Sequence, residues 1–278
     1  MTHSQQPPVA GQAVADSDRN FDDLAHRFKR NVYDTLKGRI RLDILERDLR
    51  EFLPQLFVAD ARPLRILDAG GGQGQFGLSL AAHGHELVIC DLSAEMLNLA
   101  REVAVQSGLS EAVQFHHGPV QDYLRELQSQ APVFDLILCH AVLEWVAEPQ
   151  ELLHLLVQGL RPAGHLSLSF YNVNSIKMKN LLRTNFRKVI DDDYRGSRGS
   201  LTPTWPRAPE DVKAWLAELP LERLCCSGIR CFHDYLLDPV TRQTQPEQQL
   251  LLERRLSREE PWRQLARYIH VLSRKSLA

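Results

Sequence analysis

The sequence predicts an α/β fold, a doubly wound, mostly parallel sheet of seven strands. Three observations carry this expectation. Short apolar runs alternate with helix-length amphipathic stretches from residue 64 to residue 171, the pattern of βαβ units. The first run, Leu64-Arg-Ile-Leu-Asp68, leads directly into a glycine turn, Gly70-Gly-Gly-Gln-Gly-Gln-Phe-Gly77, and then a helix. The second run, Glu86-Leu-Val-Ile-Cys-Asp91, ends in an acid about 20 residues past the first glycine.

Taken in order, residues 1–18 are polar, carry Pro7-Pro8 and few large apolar groups, and read as a disordered tail, with residues 19–278 as a single domain. From Asn20 to Phe57 the pattern is helical, with Leu42, Leu45, Leu49, Phe52 and Leu53 on one apolar face. Pro54 and Pro63 bracket the way into strand 64–68. A helix over 74–83, strand 86–90, a helix over 94–107, strand 113–116, a helix over 120–127 and strand 134–140 follow. A helix over 149–160 is stopped by Arg161-Pro-Ala-Gly164, and strand 165–171 comes next. The alternation then breaks. Residues 172–208 read as a basic insertion on the carboxyl edge of the sheet, carrying Lys177, Lys179, Arg183, Arg187, Lys188, Arg195, Arg198 and Arg207 against Asp191, Asp192 and Asp193. The sheet resumes with strands 224–233 and 268–274, with helices over 209–219 and 246–258.

Composition narrows the function classes. The chain has 278 residues, 44% of them hydrophobic, enough for a sizeable core. A net charge of −2 excludes a uniformly basic surface, so any nucleic-acid contact must come from a local patch. The five cysteines (Cys90, Cys139, Cys225, Cys226, Cys231) are odd in number and form no C-x-x-C, which predicts reduced core thiols and no metal site. No apolar run is long enough to cross a membrane, and the N-terminus lacks the layout of a signal peptide, so a cytoplasmic location is expected.

The glycine turn predicts a nucleotide-like cofactor. Gly72, Gly74 and Gly77 fit G-x-G-x-x-G, where backbone approaches a ligand with no Cβ in the way and a helix N-terminus offers bare N–H groups. Asp68 decides which cofactor. A carboxylate just before the turn repels a pyrophosphate but suits a ligand carrying an ammonium and no phosphate, such as S-adenosylmethionine (SAM). Asp68, Gly70, Gly72 and Gly74 then form D-x-G-x-G-x-G, which resembles the first motif of the Rossmann-like class I SAM-dependent methyltransferases. Asp91 is placed to accept hydrogen bonds from ribose hydroxyls, or else to cap the helix near Ser93. Val120 and Gln121 lie where an adenine edge would be read, or simply begin a helix. His140 ends the fourth strand at the pocket mouth, as a site residue or a structural one. The basic N-terminal segment (Arg27, Lys29, Arg30, Lys37, Arg39, Arg41) is a solvated helical face or a lid that also meets a polyanion. The basic insertion, with Tyr194 and Trp205 interleaved, favours the polyanion. RNA contacts are expected at Arg30, Lys37, Lys177, Lys179 and Arg183.

Several segments carry a family likeness: Asp18-Arg-Asn-Phe-Asp-Asp23, Asn31-Val-Tyr33, Lys37-Gly38, Leu67-Asp-Ala-Gly-Gly-Gly72, Cys90-Asp-Leu-Ser93, His140-Ala-Val-Leu-Glu-Trp-Val146, Phe170-Tyr-Asn172, Arg230-Cys-Phe-His-Asp-Tyr235 and Arg267-Tyr-Ile-His270. With them the chain resembles the bacterial tRNA 5-carboxymethoxyuridine methyltransferase family from Arg19 to Lys275. The resemblance implies methylation of the carboxylate of 5-carboxymethoxyuridine at the wobble position of the tRNA anticodon, giving the methyl ester and S-adenosylhomocysteine (SAH). It implies SAM contacts at Arg41, Gly70, Gly71, Asp91, Val120, Gln121 and His140, Arg41 being suited to grip the methionine carboxylate. A carboxylic acid of pKa ~4 is already ionised at neutral pH and needs no general base. Positioning groups are expected instead, at Tyr171, Arg230, His233 and Tyr235 on predicted strand ends. Ala163 departs from the glycine common at that position and is expected to alter the turn. The rival readings are a methyltransferase for a free small-molecule acid, a non-catalytic SAM-binding module that carries RNA, and an NAD-linked oxidoreductase, which Asp68 disfavours.

Overall fold

The computed structural model describes residues 18, 19, 22, 35–58, 61–127, 133–194, 202–238 and 240–277. The expected tail, and Arg27, Lys29, Arg30, Arg195 and Arg198, lie outside them. The strands are β1 (Arg65–Ala69), β2 (Glu86–Asp91), β3 (Val113–His117), β4 (Phe134–His140), β5 (Leu160–Tyr171), β6 (Leu221–Ile229) and β7 (Tyr268–Lys275). They form one seven-stranded sheet in the order β3-β2-β1-β4-β5-β7-β6. Only β7 runs antiparallel to its two neighbours. The strand order reverses between β1 and β4, and the crevice outside their carboxyl ends is where a doubly wound sheet binds its ligand.

Helices cover both faces. Here α1 is Leu36–Phe52, α2 Gln75–Ala81, α3 Ala94–Gln106, α4 Val120–Leu127 and α5 Pro149–Gly159. Alternate residues along each strand feed two cores. Ile66, Leu87 and Ile89 pack with Leu45 and Leu49 of α1, Phe76 and Leu80 of α2 and Leu97 of α3. Leu67, Val88 and Ile137 pack on the other face with Leu124 of α4 and Leu152 and Leu156 of α5. In α1, Thr35 caps the N-terminus by accepting from the Gly38 N–H. Its buried stripe is Ile40, Ile44, Leu45 and Leu49, while Leu42 and Phe52 are only half-buried. Asp48 occupies the same stripe and is fully buried, so one face of this helix carries an ion into the core.

Two expectations need correction. β5 begins at Leu160, not at residue 165. Leu160 pairs with Phe134 across an irregular register that absorbs Arg161-Pro-Ala-Gly164, so the segment stops the helix and opens the strand at once. Within that segment Ala163 sits at φ 60°, in the left-handed region that favours glycine, at a cost of about 1–2 kcal/mol. β6 ends at Ile229; Arg230 follows at φ 61°, and His233–Tyr235 form a 3-10 turn beyond the sheet.

Among the described residues of the insertion after β5 are two further helices, α6 (Val173–Leu182) and α7 (Phe186–Ile190), before α8 (Pro209–Ala217). Its two ends are fastened together. The Val173 N–H donates to the Arg207 carbonyl, the Arg207 N–H to the Tyr171 carbonyl, and the Arg207 guanidinium to the carbonyls of Leu143 and Val146. Among the described residues, the remaining α-helices are α9 (Pro246–Leu256) and the single turn α10 (Trp262–Leu265).

Candidate active site

A cavity of about 380 Å³ opens at the carboxyl ends of β1, β2, β4 and β5 and at the amino end of the antiparallel β7. One end is built by the glycine turn. Gly70, Gly72 and Gly74 have φ of 67°, 56° and 67°, and Gly74 is the N-cap of α2. A Cβ on Gly70 would lie 2.5 Å from Val142 Cγ2, and one on Gly71 would lie 2.7 Å from Asp68 Cγ, so the cradle excludes side chains. Two carboxylates frame it. Burial pushes Asp68 up to about 7, against the charge of Arg41 and the Gly77 N–H hydrogen bond. Burial also raises Asp91, which accepts from the Gly72 N–H at 2.8 Å and the Ser93 N–H at 2.8 Å. The cap of α3 is Ser93, whose Oγ accepts from the Met96 N–H, so Asp91 is left for the cavity. Near the chain start, Asp18 accepts from Gln121 Nε2 at 2.7 Å and from the Ala147 N–H, and Asp22 accepts from Ser93 Oγ. These bonds tie Asp18 and Asp22 to the start of α3, to α4 and to the loop after β4.

The other end is cationic. Lys37, Lys179, Arg230 and Arg267 line it with one acid, Asp234, and with Tyr171 and Tyr268. Asp234 Oδ2 accepts from Arg267 Nε at 3.0 Å and lies 3.1 Å from an Arg230 terminal nitrogen. Burial pushes the Asp234 carboxyl up, but the Arg230 and Arg267 charges outweigh it and hold the group well below the usual carboxylate range. Arg267 also donates to the Tyr171 hydroxyl. The Arg230 Nε is buried with no hydrogen-bond partner. Burial lowers both lysines, Lys179 to about 8.

A buried polar chain runs beneath the floor. His140 Nε2 lies 2.8 Å from Ser167 Oγ, which lies 2.9 Å from His270 Nε2; His270 Nδ1 lies 2.8 Å from Asp48 Oδ2. Arg47 and Arg258 donate to the other oxygen of Asp48. Burial, reinforced by His270 and Arg41, pushes His140 far below the usual histidine range, so its ring is neutral. Cys225 stands within 4.8 Å of Asp48 and His270. Burial lifts its thiol to about 12, and both Asp48 oxygens are already engaged, so this trio is poorly suited to a cation.

The structure brings Arg41, Gly70, Gly71, Asp91, Val120, Gln121 and His140 around one cavity, together with Tyr171 and Arg230. His233 and Tyr235 stand outside it. His233 is fully buried against Gln249, with Nδ1 2.7 Å from Oε1, and the Tyr235 hydroxyl donates to the Leu265 carbonyl. Of the expected RNA contacts, Lys37 and Lys179 face the cavity, whereas Lys177 pairs with Asp192 and Arg183 is on the surface. Sequence reasoning missed Lys37, Lys179, Arg267, Tyr268 and Asp234 as members of one cavity. The Phe-His-Asp-Tyr and Arg-Tyr-Ile-His segments were the available signal. Among the described residues, no helix is long and apolar enough to cross a membrane.

A family model described as a methyltransferase domain matches residues 67–168. The chain is 44% identical over 258 residues to the tRNA 5-carboxymethoxyuridine methyltransferase of Escherichia coli (strain K12), covering 93% of this chain and 97% of that one. A ubiquinone biosynthesis O-methyltransferase of Aromatoleum aromaticum is 29% identical over 215 residues, 74% of this chain and 78% of that one. Among solved structures, a magnesium protoporphyrin IX methyltransferase from Synechocystis with bound SAH superposes with a TM-score of 0.58 at 15% identity, covering 92% of this chain and 96% of that one. A plantazolicin methyltransferase, also with SAH, gives 0.55 at 15% identity, covering 91% and 90%.

Proposed function

The chain belongs to the tRNA 5-carboxymethoxyuridine methyltransferase family, and we propose that its cavity methylates the carboxylate of 5-carboxymethoxyuridine in the anticodon of tRNA, with SAM as donor. One observation carries this reading: a single cavity joins a side-chain-free, acid-framed end to a cationic end. The first fits SAM, and the second fits an anionic acceptor.

At the first end, the Gly70 and Gly71 backbone would lie against the amino-acid part of the donor, Arg41 would pair with its carboxylate, and Asp68 would offset its ammonium. Asp91 keeps lone pairs for ribose hydroxyls although both oxygens accept backbone N–H groups. Val120 and Gln121 would border the adenine, and His140, neutral and anchored through Ser167, would close the floor. When bound, SAM supplies a sulfonium methyl that the acceptor oxygen takes in one displacement, the C–O bond forming as the C–S pair returns to sulfur, with no proton transferred.

The chain's own task is therefore orientation and charge. No residue has to take up a proton, because the acceptor is already an anion at neutral pH. The exposed part of the insertion, with Arg183, Arg187 and Lys188, supports contact with RNA phosphates. Such a substrate places the enzyme in the cytoplasm.

The test is incubation of the purified protein with SAM and with tRNA that carries the free acid, followed by mass spectrometry of the nucleosides. The acid should convert to its methyl ester on tRNA. Conversion of the free nucleoside acid in place of the tRNA would favour the small-molecule reading, and no ester on either would refute the assignment.

A further inference from the structure

The cationic end holds more positive charge than its own acid can balance. Four cations (Lys37, Lys179, Arg230, Arg267) face one carboxylate, Asp234. Arg267 is satisfied by Asp234 and Tyr171. The rest are not. Arg230 reaches Asp234 through one terminal nitrogen only, and its buried Nε has no partner. Among the described residues, neither Lys37 nor Lys179 makes a hydrogen bond or ion pair. Cations gathered in a half-buried site with a single counter-charge among them repel one another and lose hydration, so the site gains by taking an anion. Asp234 binds two guanidiniums through a single oxygen, which holds them side by side and leaves a net excess facing the cavity.

Resting on the assignment made above, we propose that Lys37, Lys179 and Arg230, set by the Arg267–Asp234 pair, hold the acceptor's carboxylate as an anion and release the product because esterification removes that charge. The site thereby reads the ionisation state of its acceptor. The acid is gripped by ion pairs, and the ester offers the same cations only neutral oxygens, which accept weaker hydrogen bonds. Arg41, at the glycine end, is left for the cofactor's own carboxylate, so the two anions have separate cations.

The test uses the full-length protein with SAH and two anticodon stem-loop RNAs, one bearing 5-carboxymethoxyuridine and one its methyl ester. Binding of each is measured by fluorescence anisotropy, and SAH binding by calorimetry. The unaltered protein should hold the acid RNA at least about tenfold tighter than the ester RNA. In Lys179→Met and Arg230→Gln, tested separately, that ratio should fall toward one, with SAH affinity within about twofold of the original. A ratio near one in the unaltered protein overturns the proposal without recourse to any variant. So does a ratio that persists in both variants, or a loss of SAH affinity in place of the ratio, which would assign the cluster to the cofactor. The enzyme assignment is checked independently, by whether the unaltered protein esterifies the acid RNA. If it does and the ratio is near one, only the carboxylate grip is wrong.

Discussion

Replacing Asp68 by Asn should make the ligand-free protein more stable while weakening its affinity for the cofactor. Asp68 is 5% exposed, at the end of β1 beneath the glycine turn, and burial lifts its carboxyl from 3.8 to about 7. The native state therefore keeps a proton that the unfolded chain has already lost between those values. With the folded value raised, stability falls as pH climbs from 3.8 to about 7 and stays low above it. A rise of about 3 pH units corresponds to about 4 kcal/mol at most, and relaxation of the site reduces this to about 2–4 kcal/mol. Asn keeps an oxygen to accept the Gly77 N–H and removes the buried charge. In denaturant titrations, Asp68→Asn should exceed the parent by about 2–4 kcal/mol at pH 8, by about 1–2 kcal/mol at pH 5, and by nothing below the ordinary carboxylate value. Calorimetry should show SAH binding weakened at least about tenfold, because the ammonium loses its counter-charge. A variant no more stable than the parent at pH 8, or one that binds SAH as well, would refute the view that this acid is retained for a cationic ligand at the expense of the fold.

Gly70→Ala must adopt φ 67° and bring its Cβ to 2.5 Å from Val142 Cγ2. It should lose about 2–5 kcal/mol in thermal unfolding and most SAH affinity by calorimetry. Asp48→Ala strips the shared acceptor from His270, Arg47 and Arg258 and should cost about 3–5 kcal/mol at pH 7 by urea titration. Burial pushes Asp48 up, but His270 and Arg47 bring it well below the usual range. Its contribution is thus complete above the ordinary carboxylate value and fades as pH falls below it, so the penalty should shrink in acid. Lys179, lowered to about 8 by burial, should lose its charge as pH passes that value. KM for the acid-bearing tRNA should then rise above pH 8 in steady-state assays. The same lowered value makes this lysine's effect on stability improve between pH 8 and 10.5, the reverse of a paired lysine.

The strands β1 to β4 and the glycine turn were legible because their signals are local: apolar runs of one strand's length, and glycines where φ is positive. The cofactor end follows from them, since the end of β1 and the end of β2 must be neighbours in this topology. The cationic end was not legible. Lys37, Lys179, Arg230 and Arg267 come from four separate elements and meet only after β7 inserts antiparallel between β5 and β6. The Asp48–His270 contact spans 222 residues, and although helical spacing sets Asp48 on the buried face of α1 with Ile44, no local signal names the partner that takes up its charge. His233 and Tyr235 were misplaced for a local reason. The apolar pattern 224–233 continues past Ile229, but Arg230 turns the chain at φ 61° and carries both residues out of the sheet.

The bonds made by Asp18 and Asp22 have a mechanical consequence. They reach Gln121, Ala147 and Ser93, all in segments that follow a strand, and none of them touches the hydrogen bonding of the sheet. Asp18 itself lines the cavity, and neither acid belongs to the two cores. The rim at Asp18 and Asp22 and the walls of the pocket are thus held by different bonds.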